Sequence, residues 1–398
     1  MPQAVARGNG DVRRAAAVAL LAFLLACAWL VLNVAGNYEG HWTGLFYTGS
    51  KTPLPDALSA GHTHRVNDET GYDAQYYHLI AHDPLIRQDF APYIDNPRLR
   101  WRRIGVPALA ALLTAGSDRY ADFAYIAIEL AFVFLGVFWL SRYAQQLGHH
   151  PAWGFPFLLI PAVLVSLDRM TVDLPLAALC VGFVWHATRN DEALSRPDWA
   201  LYAILAAAPL VRETGMILVL AWCAHAALQR NWRAAGLGIG CAAPALGWWA
   251  YVHTQTAPDG TAWLSRYPFS GIIERTVQGI NHPVSTSWLQ TAATLEEVAI
   301  AGVWLALLAG FYLLVARRWG LLELACIAFT LFAGLLGKFD IWESAYATGR
   351  TMSPLLILLG VLALRDRRWV FVLPLLLVLP RIALQYQAQF KGALRGIL

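Results

Sequence analysis

One polar stretch of this otherwise apolar chain crowds acids beside tyrosines: Asn67-Asp68-Glu69-Thr70-Gly71-Tyr72-Asp73-Ala74-Gln75-Tyr76-Tyr77. A carboxylate placed beside a substrate hydroxyl can take its proton as a general base, and Asp68, Glu69 and Asp73 are the acids available for it. Cations stand at or between later apolar runs, as Arg102, Arg103, Arg169, Arg212, Lys338 and Arg350, with Asp168, Asp173 and Glu213 beside them. Guanidinium forks match phosphate oxygens better than any other side chain. Carboxylate and arginines together point to a group transfer in which one acid activates the acceptor and cations hold a departing phosphate.

Each of these residues has a plainer role. A lone Asp in a Gly-containing loop commonly closes a turn or caps a helix. Arginines at helix ends reach for headgroups, and Arg212 beside Glu213 could be a local ion pair. Asp73 stands out because aromatic residues surround it next to an apolar run. Arg212-Glu213 stands out because it splits an apolar run where nothing structural calls for charge.

His78 and His82 share one helical face at i, i+4, with Asp83 adjacent, and His62-Thr63-His64 could join them across the loop. A zinc-protease motif needs a glutamate after the first histidine, and Leu79 is there. We read these histidines as hydrogen-bonding to headgroups or substrate and assign no metal ligands. No cofactor is indicated, although the transfer chemistry is compatible with a divalent cation. The five cysteines all fall inside apolar runs without a Cys-x-x-Cys, which marks them as packing residues.

The elements that position these residues are membrane helices. The chain is 58% hydrophobic and 14% charged with a mean hydropathy of +0.46, where soluble proteins carry about 25% charge. Such a chain cannot cover itself with a hydrated surface. Its net charge of +4 is scattered, so nucleic acid is not an expected partner. Arg13 and Arg14 precede an apolar stretch longer than the ~7–15 residues of a signal peptide, so we expect an uncleaved first helix.

Spans are expected at 15–36, 121–141, 151–167, 172–188, 199–211, 215–229, 234–253, 296–316, 320–337, 352–365 and 369–385. With the N-terminus in the cytoplasm, every second connection is cytoplasmic. Those connections hold Arg142, Arg189, Arg196, Arg230, Arg233, Arg317, Arg318, Arg365, Arg367 and Arg368, the basic bias of a cytoplasmic face. The register requires 104–116 to be a half-helix, because thirteen residues give only about 20 Å. Loops 37–103 and 254–292 then lie outside, as do the breaks at Asp168–Asp173, Arg212–Glu213 and Lys338–Arg350. Intramembrane charge is costly, ~2.5–3.5 kcal/mol per residue on insertion scales, so four polar clusters on one face argue for one external site. The expected fold is all-α: a polytopic integral membrane protein, 1–398 forming a single transmembrane domain of about eleven helices plus a half-helix, with interfacial helices in the long first loop.

Gly71-Tyr72-Asp73-Ala74-Gln75-Tyr76-Tyr77, followed by Asp83-Pro84 and by Asp95-Asn96-Pro97 with Arg98, Arg100, Arg102 and Arg103, resembles the first external loop of bacterial proteins of the GT-C glycosyltransferase superfamily. Asp168-Arg169 with Asp173, and Arg212-Glu213-Thr214-Gly215, are similar to later marks of that group. The resemblance covers roughly 10–230. It implies an inverting transferase of the inner membrane that moves a sugar from a polyprenyl-phosphate donor to a glycan or lipid acceptor. It also implies Asp73 as the base, with Asp68 and Glu69 as rivals, and a substrate site drawn from Tyr72, Gln75, Arg102, Arg103, Asp168, Arg169, Asp173, Arg212, Glu213, Lys338 and Arg350. A lipid transporter or flippase is the competing class, although transport sites usually lie in matched repeats and none is visible. A non-catalytic scaffold of the same fold is the third reading.

Overall fold

The computed structural model describes residues 9–59, 63–189, 197–258, 263–280 and 284–395. Helix α1 (Asn9–Asn37) leads into a loop in which β1 (Thr48–Gly49) pairs in parallel with β2 (Arg65–Val66) around α2 (Asp56–Ser59). The loop continues through α3 (Ala74–His82) and α4 (Pro97–Arg102) to α5 (Gly105–Leu113) and the long α6 (Asp118–Gln146). A 3-10 segment, Pro151–Leu159, meets α7 (Pro161–Arg169) at a 62° bend. The short helices α8 (Asp173–Thr188), α9 (Trp199–Val211), α10 (Met216–Leu228), α11 (Trp232–Gly240) and α12 (Ala243–Gln255) follow. Beyond them lie α13 (Ser270–Gln278), α14 (Ser287–Val315), α15 (Leu321–Leu335), α16 (Phe339–Trp342), α17 (Ala345–Asp366) and α18 (Leu373–Arg395).

Five of these helices, α1, α6, α14, α17 and α18, are long and apolar enough to cross a membrane, and the bent pair ending in α7 makes a sixth. Helix α1 shows why. Ala15, Ala19, Ala22, Ala26, Leu30 and Val34 are buried, while Leu20, Leu21, Leu24, Leu25 and Val31 are exposed. Small residues at helical spacing let α1 approach α6 and α18 closely. Leu20, Leu21, Leu24 and Leu25 face outward, an apolar surface suited to lipid.

Differences from the expected boundaries have local causes. The span expected at 234–253 is interrupted at Cys241–Ala242, just before Pro244, whose ring cannot continue the preceding ladder. The half-helix α5 has nine residues and ends in left-handed Ala115 and Gly116. At about 1.5 Å per residue it is too short to cross a membrane by itself.

Contacts gather one set of helix ends together. Gln145 donates to the Asp11 carbonyl at 2.9 Å, Arg318 pairs with Asp366 at 2.9 Å, and Arg365 forks onto Glu323. His149, just past α6, lies 3.3 Å from the Leu364 carbonyl of α17, so the ends of α1, α6, α14, α15 and α17 that carry these basic connections share one end of the bundle. Arg196 lies outside the described residues.

Candidate active site

Asn96 starts α4: its Oδ1 accepts from the Leu99 amide at 3.0 Å, and Pro97 fits the first helical position. Helical spacing then puts Arg100 and Arg103 on one face. Both donate to the hydroxyl of Tyr77, at 3.3 and 2.9 Å. Asp73 stands at the N-cap of α3, yet its side chain caps nothing. Gly71, at φ +86°, turns the chain into this position, and a side chain there would collide with Gln75. The carboxylate of Asp73 is thus left to the arginines.

Each oxygen of Asp73 holds a guanidinium: Arg100 Nη2 at 2.8 Å from Oδ1 and Arg350 Nη2 at 2.8 Å from Oδ2. Arg100 also forks onto Asp95 at 2.9 and 2.7 Å. Burial opposes ionisation of Asp73, but Arg100 and then Arg350 outweigh it and hold the carboxyl well below the usual carboxylate range. Behind Arg350, its Nε lies 3.4 Å from Asp173, which also pairs with Arg212. Arg212 and Glu213 do not pair with each other in the way their adjacency allows. Glu213 takes a two-pronged bond from Arg103 at 2.8 and 2.6 Å instead.

Asp73, Tyr72, Arg102, Arg103, Arg212, Glu213, Lys338 and Arg350 all line one cavity of about 750 Å³. One wall is apolar, from Leu264, Phe332, Leu336 and Ile341. Six cations (Arg100, Arg102, Arg103, Arg212, Lys338, Arg350) face four carboxylates (Asp73, Asp95, Glu213, Asp340), so the space is net positive. Not all of that charge is internally matched. The guanidinium of Arg102 has no protein partner among the described residues, and Arg102 Nε, Arg212 Nε and Arg350 Nη1 are buried without an acceptor. Buried donors of this kind need a partner, and an anion in the cavity would supply one.

Other expected site residues lie apart. Asp168 and Arg169 pair at 2.9 Å behind the cavity, where Tyr346 donates to Asp168 at 2.8 Å and Arg169 lies 3.3 Å over the Tyr47 ring. Among the described residues they approach the site through Tyr72, whose ring is 5.6 Å from Arg169 and 5.1 Å from Arg350. Gln75 is spent on the loop, accepting from the Gly49 amide and donating to the Thr70 carbonyl. Asp68 is 91% exposed and pairs with Lys51, away from the cavity. Glu69 does not line the cavity either, and its carbonyl accepts from the Lys51 amide.

Arg100, Asp95, Tyr77 and Asp340 belong to the site but were not singled out as site residues from sequence. Arg100 was legible from its i, i+3 relation to Arg103. Asp340 was not, because its only sequence signal is a neighbouring lysine, with which it pairs at 2.8 Å.

The histidine pair differs from expectation in its acid. Asp83 turns away and accepts from the Arg87 and Gln88 amides at 2.7 and 2.9 Å. Asp118 and Asp122, from the start of α6, face the histidines instead. His62 lies outside the described residues.

Comparison with protein-family models, curated proteins and solved structures finds no match to this chain. The functional reading therefore rests on the chain's own residues.

Proposed function

We propose that this protein is an inverting glycosyltransferase of GT-C type in a bacterial inner membrane. It moves a sugar from a polyprenyl-phosphate carrier to a glycan or lipid hydroxyl at the extracytoplasmic face. In this reading the five long helices and the bent pair are joined as spans by α8, α9, α10, the interrupted α11–α12 and α15, giving eleven. The observation that carries the reading is a half-buried carboxylate, Asp73, at a net-positive cavity whose arginines hold unmatched donors beside an apolar wall.

The acceptor hydroxyl attacks the anomeric carbon as its proton passes to an Asp73 oxygen. The bond from that carbon to the phosphate oxygen breaks with inversion, and polyprenyl phosphate leaves with the electron pair. Arg102, Arg212 and Arg350 are the cations with donors free for its oxygens. An aspartate held by two guanidiniums is a weak base. Donor phosphate competes for Arg100 and Arg350, and the basicity of Asp73 rises as they turn to it. The apolar wall suits the first isoprene units.

The test uses purified protein in vesicles with a labelled polyprenyl-phosphate sugar and membrane-derived acceptor. Sugar appearing on the acceptor supports the reading. Movement of labelled lipid between leaflets without any transfer would replace it with a transporter.

A further inference from the structure

Away from the cavity, α3 and the first turn of α6 bring together two histidines and two aspartates that the transfer reaction does not use. The ligand-capable atoms of His78, His82 and Asp122 all lie within 4.8 Å of one another. His78 Nε2 is 2.9 Å and His82 Nε2 3.1 Å from Asp122 Oδ1. Around a four-coordinate zinc with bonds of ~2.0–2.1 Å, neighbouring ligand atoms sit about 3.3–3.4 Å apart. The carboxylate therefore needs to retreat by only a few tenths of an ångström.

Two further observations separate this cluster from an ordinary hydrogen-bonded pair. His78 is 1% exposed, yet among the described residues neither ring nitrogen makes a well-aligned hydrogen bond, even with Asp122 Oδ1 2.9 Å from Nε2. Buried imidazole nitrogens rarely go unmatched. The other nitrogen of His82, Nδ1, lies 3.0 Å from Asp118 Oδ1. A carboxylate on the far nitrogen is how ligating histidines are commonly oriented, since it fixes the tautomer and leaves Nε2 to the metal. The His78 ring is itself held flat against Phe46, with centroids 4.4 Å apart.

We propose that His78, His82 and Asp122 bind a divalent transition-metal ion of zinc's class, with Asp118 as the positioning residue for His82. Two neutral imidazoles and one carboxylate suit such an ion better than magnesium or calcium, which prefer all-oxygen sets. The ion ties α3 to α6. Because Asp73 begins α3, about 7–8 Å along the axis from His78, this tie holds the candidate base in place without touching the reacting atoms.

The test uses the full chain without a histidine tag, purified in detergent and stripped with a chelator. Zn²⁺ uptake is counted, and Co²⁺ is then substituted for its visible absorption. We expect one tight equivalent, a nitrogen–oxygen Co²⁺ spectrum, and a rise in Tm with Zn²⁺. His78→Gln and Asp122→Asn should abolish all three. Asp118 is 69% exposed, so Asp118→Asn leaves the packing alone and should weaken affinity about 10–100-fold. Zn²⁺ uptake unchanged in His78→Gln and Asp118→Asn, or no uptake by the wild type, would overturn the proposal. Donor binding measured on the same samples reports on the transferase reading separately.

Discussion

Arg350, in the second turn of α17, places Nη2 2.8 Å from Oδ2 of Asp73, in the first loop of the chain. The contact closes the site by bringing the last third of the chain onto its first loop. It also sets a chemical condition, because the carboxylate proposed as base is already engaged and has to be released before it can accept a proton.

Asp73→Asn keeps the side chain's size and removes its basicity. Transfer should fall by ~10²–10⁴, while donor binding, which rests on the arginines, persists. Asp68→Asn and Glu69→Gln should leave the rate within about twofold of wild type, since neither acid lines the cavity. Initial rates and equilibrium donor binding on the same preparations check this. Wild-type transfer by Asp73→Asn would move the base to Asp68 or Glu69.

Two neighbouring arginines should respond oppositely to truncation. Arg102 has no protein partner for its guanidinium among the described residues, so Arg102→Ala should weaken donor binding about tenfold with little change in Tm. Arg103 holds Glu213 through two bonds. Arg103→Ala leaves that carboxylate unpaired and should cost about 3 kcal/mol of stability. Thermal unfolding and donor titration separate the two effects.

The pH profile should show the release of Asp73. In the free protein its carboxyl is held well below the ordinary value of 3.8, so it stays ionised as pH falls through that range. The acid limb of kcat/KM, which reports the free enzyme, should lie below 3.8. The acid limb of kcat, which reports the bound complex, should lie higher once phosphate has drawn the arginines away. Coincident limbs would mean that Asp73 is not released.

Orientation is open to direct chemistry. Cysteines introduced at Ser50 and Gln255 should react with an impermeant thiol reagent in intact cells, and one at Gln229 should react only after lysis. Labelling of Gln229→Cys alone would put the cavity in the cytoplasm.

Much of the fold was written locally. An apolar run with small residues at i, i+4 and i, i+3 fixes α1 as a helix with one packed face and one lipid face. The left-handed Ala115-Gly116 stop kept α5 short. Charges at breaks in apolar runs marked Asp173, Arg212 and Arg350, because lipid tolerates charge only where a cavity or a partner receives it. Local sequence could not choose the partners. Adjacency pairs Arg212 with Glu213, yet the extended backbone at Arg212 turns the two side chains apart, one toward Asp173 and the other toward Arg103. Asp122 joined the histidines in place of Asp83 because α3 packs against α6, while Asp83 is consumed by the amides of its own turn. Residue types and periodicity determined which acids and cations are present and at which helix ends. Which carboxylate meets which cation depends on distances between helices far apart in sequence, and those exist only once the bundle has packed.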